Sequence, residues 1–215
     1  MRLRPSGRAG TVATHIAGFE RYQKEDAWVW EHLALSRARV IAGDEALASQ
    51  IEDVRQDVLG AQHDASVVSK GLAEMRARIS TLAEESENSL NVKKQLGGML
   101  DIELIAQALC LISANFRRKP SAQIEAALKA GLINQQDGAK LLDAHQFFSI
   151  IVHLRGLIGN QHFDLEKLTP MAKTFLLSSL GIESNSLLKS RIKATRKTVK
   201  SIIDKLVETT GQPSK

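Results

Sequence analysis

Residues 97–112 read Gly97-Gly98-Met99-Leu100-Asp101-Ile102-Glu103-Leu104-Ile105-Ala106-Gln107-Ala108-Leu109-Cys110-Leu111-Ile112. Leu104, Ile105, Ala108, Leu111 and Ile112 recur at spacings of three and four, the period of an α-helix rather than of a strand. The paired glycines ahead of them let the backbone approach another surface closely. Asp101 reads as an N-cap whose carboxylate would satisfy free amide donors. Cys110, inside the apolar run, reads as a small core residue.

The same period extends downstream. Ser121 reads as the cap of a short helix that stops at Gly131, a typical helix-ending residue. Asn134 followed by Asp137 resembles a capping box, and a long helix follows from about Gln135 to Leu157. Thr169-Pro170 is a helix start with proline in the first turn. Leu188, Ile192, Val199, Ile202, Ile203 and Leu206 stripe a last helix. Upstream, Leu72, Met75, Ile79 and Leu82 form a further stripe, and Asp44 caps a helix over about Glu45–Leu59. From Phe19 the pattern is helical, with Trp30, Leu33, Ala34, Ala38 and Ile41 on one segment that Gly43 ends. The polar stretch 84–91 is the best internal boundary. Residues 1–18, with two glycines and one proline in the stretch 2–10, read as a strand remnant and a loop. The fold class is all-α: helical bundles after a short non-helical piece. The expected division is 1–18, 19–90 and 91–210.

Composition narrows the function. The net charge is +5 over 215 residues. Residues 1–8 hold three arginines and no acid, and residues 186–215 hold eight basic residues against Asp204 and Glu208. The middle of the chain is therefore mildly acidic, and the basic ends need separate explanations. A single cysteine rules out a disulfide framework. No apolar run reaches the length of a membrane span, and the basic N-terminus lacks the apolar stretch of a signal peptide, so the expected compartment is the cytoplasm. No two of the six histidines are three or four residues apart, so no helix presents a two-histidine metal face. Neither a phosphate-binding glycine loop nor a nucleophile elbow is present.

Three features stand out. Arg2 and Arg4 flank Leu3 ahead of Pro5-Ser6-Gly7. On an extended segment their guanidiniums share a face and suit phosphate, unless the terminus is simply solvated. Four of the nine aromatics, Phe19, Tyr22, Trp28 and Trp30, fall within twelve residues. Trp28 and Trp30 cannot share a helix face, so one is expected in the core and the other at a different surface. Glu31, Arg37 and Arg39 follow. The third feature is Lys93 with Gly97, Gly98, Asp101 and Glu103, either a cleft lining or a loop and cap.

Together these motifs resemble the bacterial glutamine synthetase adenylyltransferases. The match runs through Arg2-Leu-Arg-Pro-Ser-Gly7, Tyr22-Gln23, Ala27-Trp28-x-Trp30-Glu31-His32, Arg37-Ala-Arg39-Val40, Gly43-Asp44, Val54-Arg55, Glu74-Met75-Arg76-x-Arg78, and Lys93 to Gln107. It is dense to about Gln107 and weaker beyond. Pro-Ser-Gly combined with Ala-Trp-x-Trp-Glu-His resembles the C-terminal, adenylylating half. The resemblance implies a nucleotidyltransferase that uses ATP and Mg²⁺ to modify a tyrosine of glutamine synthetase, with a PII-type signalling protein as a further partner.

The family's Gly-Ser turn and metal-binding aspartates are expected upstream of Met1, so residues 1–18 read as a remnant of the nucleotidyltransferase domain and the chain as inactive alone. No catalytic residue and no metal ligand is therefore expected here. Arg2, Arg4, Ser6 and Lys93 are candidate phosphate contacts. Trp28, Trp30, Glu31, Arg37, Arg39, Gly97, Gly98, Asp101 and Glu103 are candidate cleft or domain-interface residues. The alternative is a non-catalytic helical module that docks glutamine synthetase or a regulator. Nucleic-acid binding by the basic last helix is disfavoured, since that segment has no aromatic residue to stack a base.

Overall fold

The computed structural model describes residues 13–81, 90–115, 117–158 and 164–210. Among these there is no strand, and the order is α1 Ile16–Glu25, α2 Val29–Leu35, α3 Glu45–Gly60, α4 Ala65–Ser80, α5 Met99–Ile112, α6 Pro120–Lys129, α7 Gln135–Ile158, a 3-10 turn Leu165–Lys167, α8 Pro170–Leu180 and α9 Asn185–Thr210. The all-α class follows. Residues 1–12, most of the expected strand and loop, lie outside the described residues, as do Leu82 and most of the 84–91 boundary.

α5 is the axis of the bundle. Residues 101–111 are buried on every side, and α2, α4, α6, α7 and α9 pack round it. A helix apolar all round can persist only when neighbours enclose it. Ile105 and Leu109 are 2% and 0% exposed. Cys110 is buried as expected, and burial pushes its thiol pKa up. The expected stripe of α9 is buried in full. Arg191 on the same helix stacks over the Phe147 ring of α7, 4.3 Å from its centroid.

Several starts differ from the sequence reading. Helix begins already at Ile16, where the His15 ring accepts from Ala17 N. The segment from Phe19 to Ile41 is not one helix. α1 stops at Glu25, and Trp28 is the N-cap of α2. The cause is Glu31, whose carboxylate reaches back to Trp28 N at 2.9 Å and stabilises a fresh start. α2 ends at Leu35, so Ile41 leaves the core and stands 83% exposed.

Asp101 is not the cap of α5. Gly98 is, and Asp101 sits in the first turn with its carboxylate accepting from Gly97 N at 2.8 Å. Ser121 likewise lies inside α6, whose cap is Lys119 with Pro120 in the first turn. Proline has no amide to satisfy and its φ suits that position, so the start falls two residues earlier. Gly131 follows the last turn of α6 at φ +71°. Asn134 accepts from Asp137 N at 2.8 Å, and Thr169 accepts from Ala172 N at 3.3 Å, so both expected starts hold.

Candidate functional site

Three of the candidate residues, Arg37, Asp101 and Glu103, are drawn into ion pairs. Glu103, 6% exposed, accepts from Arg37 Nη1 at 2.7 Å. His145 Nε2 lies 3.9 Å from the other Glu103 oxygen, an ion-pair contact too long for a hydrogen bond. Asp101, 3% exposed, faces Arg76 Nη2 at 3.2 Å, and Arg76 Nη1 reaches Asp204 of α9 at 2.9 Å. One arginine thus joins α4, α5 and α9, while Glu103 joins the segment after α2 to α5 and α7. Asp101 and Glu103, two positions apart on the helix, point to different arginines.

The charges are set by these neighbours. Burial works to raise the Glu103 pKa, but the adjacent His145 and Arg37 outweigh it and leave the group below its usual range. Burial also opposes ionisation of Asp204, and the hydrogen bonds and charges of Lys200 and Arg76 again win. Burial works to lower the Arg76 pKa, and Asp101 and Asp204 turn the balance upward. Both carboxylates nominated for a cleft therefore face cations already in the fold.

Arg55 was not nominated as a site residue and is among the most deeply buried side chains, 1% exposed. Its Nε donates to Leu35 O at 3.1 Å, its Nη2 to Ser36 O at 2.6 Å and its Nη1 to Glu52 at 2.8 Å. Those carbonyls lie at the end of α2, where intrahelical amides run out; Leu35 O also accepts from Ala38 N at 3.0 Å, and Arg55 completes the cap. Arg118 extends the cluster by donating to Ala38 O and to the other Glu52 oxygen. The sequence does carry a signal: Arg55 stands among Val54, Val58 and Leu59 on an apolar stripe, and Arg76 among Leu72, Met75 and Ile79. A cation on a core stripe needs a buried acceptor.

Four further candidate residues line two surface hollows. A cavity of about 350 Å³ opens between α1, α3 and the segment after α2. Glu31 and Arg39 line it with Phe19, Tyr22, Leu35 and Ile41. Tyr22 donates its hydroxyl to Glu31 at 2.8 Å. Trp28 and Trp30 share a second hollow of about 310 Å³ with Val67, Lys70, Glu74 and Arg78 of α4. The expectation that the two tryptophans part, one into the core, is overturned. Trp28 is a cap outside the helix proper, so helical face arithmetic does not govern it, and it is 61% exposed.

Gly97 sits at φ +74°, and a Cβ there would overlap the carbonyl of Arg196. Glycine is required by both the backbone and the contact. This presses the Lys93-bearing turn onto α9 and leaves Lys93 exposed. Gly98 is equally hemmed in by the carbonyls of Val92 and Gln95. Arg2, Arg4 and Ser6 lie outside the described residues.

The Mg²⁺ and ATP implied by the motifs do not fit these carboxylates. Among the described residues no three of His, Cys, Asp and Glu stand together as a metal-holding group. Asp101 and Glu103 are buried against arginines, and a metal would have to displace those partners. No helix in the described residues is long and apolar enough to cross a membrane.

The class of protein is defined by residues 71–207, which take in most of α4 and all that follows to the end of the core. They match the family described as GlnD PII-uridylyltransferase, and residues 1–54 match the model described as Glutamate-ammonia ligase adenylyltransferase. Among curated proteins, the bifunctional glutamine synthetase adenylyltransferase/adenylyl-removing enzyme of Rhodopseudomonas palustris is 34% identical over 213 residues, 96% of this chain and 21% of its own length. That of Mesorhizobium japonicum is 33% identical over 216 residues, 99% and 22%. The chain belongs to the glutamine synthetase adenylyltransferase family and, over residues 71–207, to the family of GlnD PII-uridylyltransferase domains. It spans about a fifth of the length of these relatives.

Proposed function

We propose that this chain is the C-terminal helical portion of a glutamine synthetase adenylyltransferase, a scaffold that positions a nucleotidyltransferase domain and glutamine synthetase without supplying metal ligands. The observation that carries this reading is the engagement of Asp101 by Arg76 and of Glu103 by Arg37. In this reading residues 1–18 belong to the nucleotidyltransferase domain, residues 19–90 pack on it and residues 91–210 form the bundle behind. ATP and Mg²⁺ are held by that domain, with Arg2, Arg4 and Ser6 as phosphate contacts. The surface that meets it is the cavity bearing Glu31, Arg39 and the exposed Ile41, which lies almost wholly within the residues matched by the adenylyltransferase model. The adenylylated group is a tyrosine of glutamine synthetase, a PII-type protein is the regulatory partner, and the setting is the cytoplasm.

The test is an assay of AMP transfer with ATP, Mg²⁺ and glutamine synthetase. The chain alone is expected to transfer no label, and transfer by it would overturn the reading. A second reading, a docking module without chemistry, is favoured by the hollow of Trp28 and Trp30. Tryptophan, methionine and arginine, all present there, are enriched at protein interfaces. Binding to glutamine synthetase with no gain of activity on adding a nucleotidyltransferase domain would select it.

A further inference from the structure

The basic last helix, whose charge the family motifs do not explain, has a definite arrangement. Lys189, Lys193, Lys197 and Lys200 occupy about 80° of arc on α9 at 100° per residue, and Arg196 lies at one edge of that arc. Arg196 is where the turn of residues 93–98 lands. Its Nε donates to Leu96 O at 3.2 Å, and Gly97 packs on its carbonyl with no room for a side chain. The fold therefore sets Lys93 and Lys94, both exposed, beside the α9 stripe. Two regions about a hundred residues apart supply one positive surface.

Some of this charge is matched internally. Lys189 pairs with Glu166 at 3.1 Å, and Lys200 with Asp204 at 2.6 Å. Lys93, Lys94, Lys193 and Lys197 have no acidic partner among the described residues. Four unmatched, exposed lysines held on rigid elements repel one another, and an anionic partner would relieve that repulsion. The apolar side of α9 is already committed to the core through Leu188, Ile192, Val199 and Ile203, so this face has no other packing role.

We propose that the surface of Lys93, Lys94, Lys193 and Lys197 docks acidic side chains of a protein partner. A protein is favoured over nucleic acid because the stripe carries no aromatic residue on which a base could stack. Lysines in two rows suit scattered carboxylates as point charges and do not demand the planar, paired geometry that arginine imposes. The assignment rests on the reading that the chain docks glutamine synthetase, which serves as the probe.

The experiment measures binding of the full chain to glutamine synthetase in low and in moderate salt, beside the variants K93E/K94E and K193E/K197E. All four exchanged positions are on the surface, and circular dichroism checks that the helices persist. Binding should weaken by about tenfold or more in each variant and on raising salt from about 50 to about 300 mM, because exposed charges act through screened attraction. A variant at the exposed Lys129 of α6, which lines neither hollow, K129E, should bind as the parent does. Binding that ignores all four lysines overturns the assignment and leaves the docking reading standing. No binding to glutamine synthetase by the parent overturns both. A short DNA duplex that binds the parent more tightly than glutamine synthetase does, with a steep salt slope, gives the surface to nucleic acid and overturns the assignment.

Discussion

Arg76 illustrates how one side chain can decide the packing of three helices. It sits between Asp101 and Asp204 with 8% of its surface exposed. Replacing it with methionine would strand a buried carboxylate, a change that typically costs about 3–5 kcal/mol. R76M should therefore be strongly destabilised in urea. The double variant R76M/D101N should recover much of the loss, because asparagine is uncharged and its oxygen can still accept from Gly97 N. A double variant no more stable than R76M would show that the charge pair is not the source. Gly97→Ala tests the adjacent turn. The left-handed backbone alone costs about 1–2 kcal/mol for a side-chain-bearing residue, and the overlap with Arg196 adds to it, so the midpoint of denaturation should drop. At this scale the sequence displayed the motif residues but not their partners. Glu103 and Arg37 are separated by 66 positions, and no local pattern joins them.

At the scale of elements, the capping geometry separates residues that look alike in the sequence. Asp64 accepts from Ser66 N and Val67 N at the start of α4, and its bonds with Ser66 and Val67 lower its pKa. Asp64→Ala should lower the melting midpoint, because the side chain that accepts from Ser66 N and Val67 N is lost. Ser121→Ala should change stability by no more than about 0.5 kcal/mol, since Ser121 lies within α6 and the start is made by Lys119 and Pro120. Thermal melts of the two variants would distinguish a true cap from a residue that resembles one. Within α5, Ile105→Ala should cost about 2–5 kcal/mol, because the helix is enclosed and its neighbours can only partly fill a void. The long periodic helices, α7 and α9, were legible from spacing alone. The limits of α2 were not, because its start depends on Glu31 folding back on Trp28 and its end on Arg55, twenty residues away from the Leu35 carbonyl that it caps.

The pH dependence belongs to the whole molecule. Burial lowers the His32 pKa from 6.5, although its Nε2 donates to Gln23 O at 2.9 Å. A group depressed in the folded state contributes stability above its unfolded value and loses it as the pH falls. Stability should therefore erode first below about pH 6.5 as unfolded His32 gains a proton. A second decline should follow below about pH 4.5 as Glu103 and then Asp204 titrate, both held low in the fold. Urea denaturation from pH 8 downward would reveal both stages. His32→Gln, which keeps a donor for the Gln23 carbonyl, should flatten the first and spare the second. A first stage of equal size in that variant would place its origin elsewhere.

The sequence by itself determined the helical class, the placement of its long helices, the buried stripe of α9 and the family. All of these rest on local period or on motifs that lie close together along the chain. Only the tertiary structure decided what the motif residues do. Asp101 and Glu103 became internal counter-ions, Trp28 turned outward beside Trp30, and Lys93 came to lie along the last helix. The physical reason is that a charge's role depends on the partner that compensates it, and here each partner arrives from a distant part of the chain.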